Sequence, residues 1–230
     1  MGLTAAVCFC PGPFRDVLSM AQTKDTSHHP WLHRFAVLTA LFTLALLGVG
    51  GLVTSHGVGM AVPDWPNTYG YNMFLFPISK WVGGIFYEHT HRLVASFVGL
   101  LTAMLAVWLW VVETKGRTRK IGALVILGVL LLMGGLMGVR EHKVFLGLAG
   151  VAAAGMCFSI YQFQRDGYAL RWLGVLALAT VILQGVLGGM RVVLYKDELG
   201  LLHATLDPPF LALICGVAVR ISFRGRMHHD

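Results

Sequence analysis

The sequence predicts an all-α fold, a polytopic membrane helical bundle of about six transmembrane helices. Of 230 residues, 56% are hydrophobic and 13% charged, against roughly 45–50% and about 25% in soluble domains. The mean hydropathy is +0.70. Apolar stretches of the length that crosses a hydrocarbon core, roughly 17–25 residues, recur along the whole chain.

Taken in order, residues 1–34 form an N-terminal tail. Its first nineteen residues match neither a helix nor a signal peptide, and the polar lead-in "MAQTKDTSHHPWLHRF" makes Met20 the expected start of translation. The transmembrane domain covers 35–219. Uncharged apolar runs predict spans at Phe35–Val53, Leu93–Val112, Ile121–Val139, Val144–Tyr161 and Trp172–Met190. A sixth, Leu199–Val219, carries Asp207, Pro208 and Pro209 near its middle, which predicts a kinked helix. Residues 220–230 form a basic tail.

The net charge of +7 reflects loop asymmetry and not affinity for nucleic acid. With six spans, twelve of the 18 lysines and arginines fall on one side, in the tails and the 113–120 and 162–171 loops. The positive-inside bias places both termini in the cytoplasm of a cell inner (plasma) membrane protein. The opposite side then holds the loop 54–87, the Arg140–Lys143 turn and the loop 191–198. Cys8, Cys10, Cys157 and Cys215 form no CxxC pair, and no disulfide framework is implied.

Two helix ends repeat a pattern: "MGGLMGVREHKVFLGLAG" and "LQGVLGGMRVVLYKDELGLLHA". Such likeness is ordinary for turns between packed spans, and Gly134/Gly138 and Gly185/Gly189 suit close helix approach in lipid. The outer loop, "SHGVGMAVPDWPNTYGYNMFLFPISKW", is long and aromatic. Its Pro63-Asp64-Trp65-Pro66 knot predicts a folded cap and not scattered interfacial aromatics.

The chemistry-bearing residues gather at the outer side. Glu88 and His91, three apart, share a helix face, while His89 points elsewhere. His203 lies at the outer end of the sixth span, at a depth matching His91. Two imidazoles across a bundle can hold a heme iron from both sides; interfacial hydrogen bonding is the plainer role for a histidine at a helix end. Asp207, four residues after His203, is in reach of its second ring nitrogen, although the proline kink favours a local polar break. His28, His29, His228 and His229 are tail residues. His33 is on the wrong side, and His56 and His142 have no evident partner.

The stretches "GGLVTSHGVGMAVPDWP", "FYEHTHRLVAS" and "LQGVLGGMRV" followed by "LGLLHATL" together resemble the heme A synthase family over roughly Trp31 to Leu206. The glutamate-x-x-histidine-arginine pattern at Glu88 to Arg92 is the most specific part. The resemblance implies a helical bundle holding heme between His91 and His203, an essential glutamate at Glu88, and oxidation of the heme O methyl group to formyl with water as oxygen source. Arg92 and Arg191 are then candidates for the heme propionates, with interfacial anchoring as the alternative for each. Heme O is the implied substrate, heme b the family's resident cofactor, and heme O synthase and cytochrome c oxidase assembly factors the implied partners, besides membrane lipid.

Two departures stand beside the likeness. Family members usually have a second half with its own histidine pair for heme b, whereas one pair is present here: the other half is lost, encoded elsewhere or cut off by a frameshift, and a homo-oligomer is a candidate partner. Two extra spans also lie between the second and the fifth. The alternative readings are a non-catalytic heme-binding assembly or electron-transfer protein, or a truncated inactive relative.

Overall fold

The computed structural model describes residues 29–136 and 142–226. The expected start at Met20, Cys8, Cys10, His28, His228, His229, Gly138 and the Arg140–Glu141 turn lie outside them. The described residues form six helices: α1 Pro30–Ser55, α2 Gly83–Glu113, α3 Gly116–Leu136, α4 His142–Arg165, α5 Leu170–Leu194 and α6 Asp197–Arg226. All six are long and apolar enough to cross a membrane.

The helices overrun the apolar stretches that predict them. Pro30 occupies the first turn of α1, where no backbone donor is needed, and Gly57, at φ +66°, lets the chain leave after His56. α2 begins at Gly83, so the polar Glu88–Arg92 cluster stands within a helix and the outer loop covers 56–82 where the sequence predicts 54–87. The sixth span is helical through Pro208 and Pro209. The prolines remove the donors that would meet the Ala204 and Thr205 carbonyls. Beyond them Phe210, Ile214, Val217 and Ala218 are fixed in the main core.

That core defines the architecture. α1, α2, α5 and α6 close a four-helix ring in which α1 packs on α2, α2 on α5, α5 on α6 and α6 on α1. Leu32 and Ala36 of α1, Val98, Leu105 and Leu109 of α2, Ala177 of α5 and the α6 residues above fill its centre. α4 lies outside, against α5, and α3 touches α2 lightly. These are the two spans that lie between the second and the fifth in the sequence. A satellite cluster of Met133, Phe145, Leu148, Val186 and Met190 joins them to α5.

Lipid offers no hydrophobic drive to bring helices together, so small residues set the close approaches. Gly174 is such a point, where a Cβ would stand 3.1 Å from the Ala106 Cα of α2. The glycines singled out from sequence do something else: Gly134 and Gly185 face open space, and Gly189 meets the outer loop.

Both ends of the described chain lie at one end of the bundle. His33 Nδ1, in the first turn of α1, is 3.0 Å from the Ala218 carbonyl of α6. At this termini end Glu113 accepts the N–H groups of Leu170 (3.1 Å) and Arg171 (2.8 Å) and pairs with Arg224. A carboxylate there suits the positive N-terminus of α5. In the adjoining turn Asp166 accepts from Trp172 Nε1 (2.7 Å) and pairs with Arg171 (2.6 Å). The Trp172 hydrogen bond, followed by Arg171, holds its carboxyl below the usual range.

Candidate functional site

The opposite, loop end is capped by residues 56–82. Asp64 shapes the cap by accepting the N–H groups of Tyr69 and Gly70, both at 2.7 Å. Thr68 and Tyr71 exchange backbone hydrogen bonds, and the Tyr69 hydroxyl donates to the Ala61 carbonyl at 2.6 Å. Trp65 seats the knot on the bundle. Its ring lies where a Cβ on Gly189 of α5 would come within 2.7 Å, and its centroid is 5.5 Å from that of Phe145 in α4.

Three residues of α2 bind this cap from below. Arg92 and Glu88 form a buried ion pair at 2.6 Å. Arg92 also donates to the carbonyls of Val62 (2.9 Å), Asp64 (2.6 Å) and Asn67 (3.1 Å), and the second oxygen of Glu88 accepts the Val62 N–H at 2.7 Å. A buried ion pair is tolerable when its remaining donors and acceptors are met in this way. Both terminal nitrogens of Arg92 are therefore engaged by the loop and Glu88. His89, set aside from sequence, is wholly buried, its Nδ1 3.1 Å from Thr68 Oγ1 and its ring against Phe76 and Trp81. Nothing in the helical wheel marks it as a loop anchor, because its partners come from a segment without periodicity. His56, at the end of α1, stacks on Tyr87 with centroids 4.3 Å apart.

His91 faces His203. Their ring centroids are 6.4 Å apart and the planes nearly perpendicular, at 85°. With a metal–nitrogen bond of about 2 Å, two imidazoles on opposite sides of one ion have ring centres about 6 Å apart. Each ring is backed by a glycine: a Cβ on Gly50 of α1 would stand 3.2 Å from His91 Cε1, and one on Gly188 of α5 would stand 3.7 Å from His203 Cε1. Both Nδ1 atoms are buried without a protein hydrogen-bond partner. Two imidazoles with uncommitted nitrogens, each in a glycine-backed recess, are a donor set suited to heme iron.

Arg191 flanks this slot one helical turn beyond Gly188, wedged between Gly59 of the cap and Gly200 of α6, where an added Cβ on either would collide with its guanidinium. Its Nε is buried without a partner, and its pair with the exposed Asp197 is long, at 3.4 Å. Asp207 bonds to Gln184, not to the His203 ring: Gln184 Nε2 donates to Asp207 Oδ1 at 2.6 Å and to the His203 carbonyl at 3.2 Å. Sequence reasoning passed over Gln184, an amide within the apolar run Trp172–Met190, as it did Gly50 and Gly188.

Over 83 residues the chain is 39% identical to the heme A synthase of Shouchella clausii (strain KSM-K16), a match covering 36% of this chain and 26% of that protein. Over 161 residues it is 27% identical to the heme A synthase of Alkalihalophilus pseudofirmus (strain ATCC BAA-2126 / JCM 17055 / OF4), covering 69% of this chain and 47% of the relative. The chain is heme A synthase-like. The matches span from about a quarter to about half the length of these curated relatives. Neither a family model nor a solved structure matches. Within the heme A synthase-like frame, Glu88, His91, Arg191 and His203 lie at the loop end, with Arg92 built into the cap over them.

Proposed function

We propose that the loop-end slot holds heme between His91 and His203, and that the chain acts as an oxidoreductase of heme A biosynthesis, supporting cytochrome c oxidase assembly. The substrate in this reading is heme O, whose methyl group is oxidised to formyl with water as oxygen source, the electrons passing to an external electron acceptor and the protons to solvent. The observation that carries it is the facing pair of imidazoles, 6.4 Å apart, each with a buried Nδ1 lacking a partner and each backed by glycine. Bound heme supplies the iron and the conjugated ring whose methyl substituent is oxidised.

The chain's own residues have separable tasks. His91 and His203 hold the iron from opposite helices. Glu88, one turn from His91 on α2, receives or relays the proton released as the methyl is oxidised, while Arg92 holds that carboxylate and the cap in place. Arg191, a cation at the slot's edge, pairs with a propionate in bidentate fashion. The cap limits access of bulk water. Both termini face the cytoplasm of the plasma membrane, as the cationic loop bias requires, and heme O synthase and oxidase assembly factors are the partners for delivery and hand-over.

An absorption spectrum of the detergent-purified chain, with heme added, tests the reading. A low-spin Soret band is expected, lost in His91→Ala and in His203→Ala; its absence from the unaltered chain would refute heme ligation. A second reading, non-catalytic heme binding, draws on one observation: both Glu88 oxygens are already engaged, by Arg92 and the Val62 N–H. Heme A formed at the normal rate in Glu88→Ala would end the catalytic role of that carboxylate, and purified chain carrying only heme B or O, from cells that form no heme A through it, would favour the non-catalytic role.

A further inference from the structure

α6 has a weak point one turn after His203. In an α-helix each carbonyl accepts from the N–H four residues on, so the Ala204 and Thr205 carbonyls face Pro208 and Pro209, which have no N–H to give. Two successive rungs of the ladder are therefore missing directly beneath the turn that carries His203. At that height Gln184 of α5 reaches across with one amide nitrogen shared between two acceptors, the His203 carbonyl (3.2 Å) and the Asp207 carboxylate (2.6 Å). Gln184 is buried. Its two acceptors bracket the turn from residue 203 to residue 207, and the second immediately precedes the prolines.

We propose that Gln184 is a positioning residue: an interhelical clamp that replaces the support lost at Pro208 and Pro209, and so fixes the turn presenting His203 toward His91. Asp207 is the other jaw of the clamp, which accounts for a carboxylate in an otherwise apolar span; a carboxylate at membrane depth is stable only with a donor beside it. Gln184 lies one turn before Gly188, the glycine backing the His203 ring, so the same face of α5 supplies both the recess for the imidazole and the hold on its backbone. The consequence for heme rests on the bis-histidine reading, but the clamp itself does not.

The test separates the two. Hydrogen–deuterium exchange of the full chain in detergent, without added heme, reads the amides of residues 199–207. Gln184→Leu, which keeps the bulk and removes the donor, is expected to raise exchange there by about tenfold, the equivalent of one buried hydrogen bond, with α1 unchanged. Replacing both prolines by alanine restores the two missing donors, so in a Pro208→Ala/Pro209→Ala background the same Gln184→Leu change is expected to have little effect. Asp207→Asn, which retains an acceptor, is expected to exchange close to the unaltered chain. Unaltered exchange in Gln184→Leu, or an equal increase in both backgrounds, would overturn the clamp. With heme added, Gln184→Leu is expected to convert part of the low-spin band to high-spin as the His203 bond weakens. An unaltered chain that binds no heme would remove the ligation reading and leave the exchange result standing.

Discussion

The two ends of the bundle handle buried polar groups in opposite ways. At the termini end, Glu113 meets two N–H groups and Arg224, so its carboxylate ties α2 to α5 and α6. At the loop end, the saturated Glu88–Arg92 knot lies beside a set of side-chain atoms without protein partners: Trp81 Nε1, His89 Nε2, Thr90 Oγ1, His91 Nδ1, Gln184 Oε1, Arg191 Nε and His203 Nδ1. Among the described residues, all buried side-chain atoms of this kind are in that half. Stability concentrates where every group is met, and binding capacity where some are not, because an uncommitted buried donor or acceptor costs free energy that a ligand can recover.

The sharpest way to break this division is Arg92→Ala. It leaves Glu88 buried and unpaired and frees three carbonyls of the cap, so a loss of about 3–5 kcal/mol is expected. Limited proteolysis within 58–72, together with the midpoint of thermal unfolding, would measure it. A cap that resists protease as before would show that Arg92 is not its anchor.

Glu113→Ala tests the other end. Removing an acceptor shared by two helix N–H groups and Arg224 is expected to cost about 2–4 kcal/mol and to leave heme affinity of the folded fraction unchanged. His203→Ala in the heme-free chain is expected to stay within about 1 kcal/mol of the unaltered protein, since the buried Nδ1 of that ring has no hydrogen-bond partner to lose. Equal thermal shifts for the two variants would erase the contrast between the ends.

Gly189→Ala probes the contact between α5 and the cap. The new methyl would sit 2.7 Å from the Trp65 ring, and displacing that ring is expected to cost about 1–3 kcal/mol, seen as a change in tryptophan fluorescence. An unchanged emission spectrum would place Trp65 elsewhere.

The smallest effect concerns pH. Asp166 titrates below its ordinary value in the folded chain, so its stabilising contribution is present above the unfolded-state value of about 4 and fades as pH falls through the lowered folded one. Asp166→Asn is expected to flatten the acid limb by lowering thermal stability slightly at neutral pH, with no change below the folded-state value. A variant with the same acid limb would remove Asp166 from that account.

Much of the fold was legible because a span announces itself: apolar runs long enough to cross lipid each became a helix. Which helices neighbour one another was not legible, since short connections favour α2 against α3, and the ring instead places α2 against α5. Within the site, Glu88, His91, Arg191 and His203 stood out as ionisable groups at span ends. Arg92 stood out too, but three of its acceptors are backbone carbonyls 25 to 30 positions away, and backbone carbonyls leave no mark in a sequence. Gln184 was missed because an uncharged amide in an apolar run carries no charge signal, and Gly50 and Gly188 because a glycine in a span looks like any other small residue.

The hydrogen bonds from the Leu170 and Arg171 amides to Glu113 also bear on how this architecture arose. They show that the last residue of α2 and the first of α5 touch, although α3 and α4 intervene in the chain. The two intervening spans thus leave and re-enter the ring through a single doorway, and their even number preserves the direction of everything downstream. A segment with adjoining ends can be gained or shed without redrawing its host: joining residue 113 to residue 170 by a short linker would retain all four walls of the histidine slot.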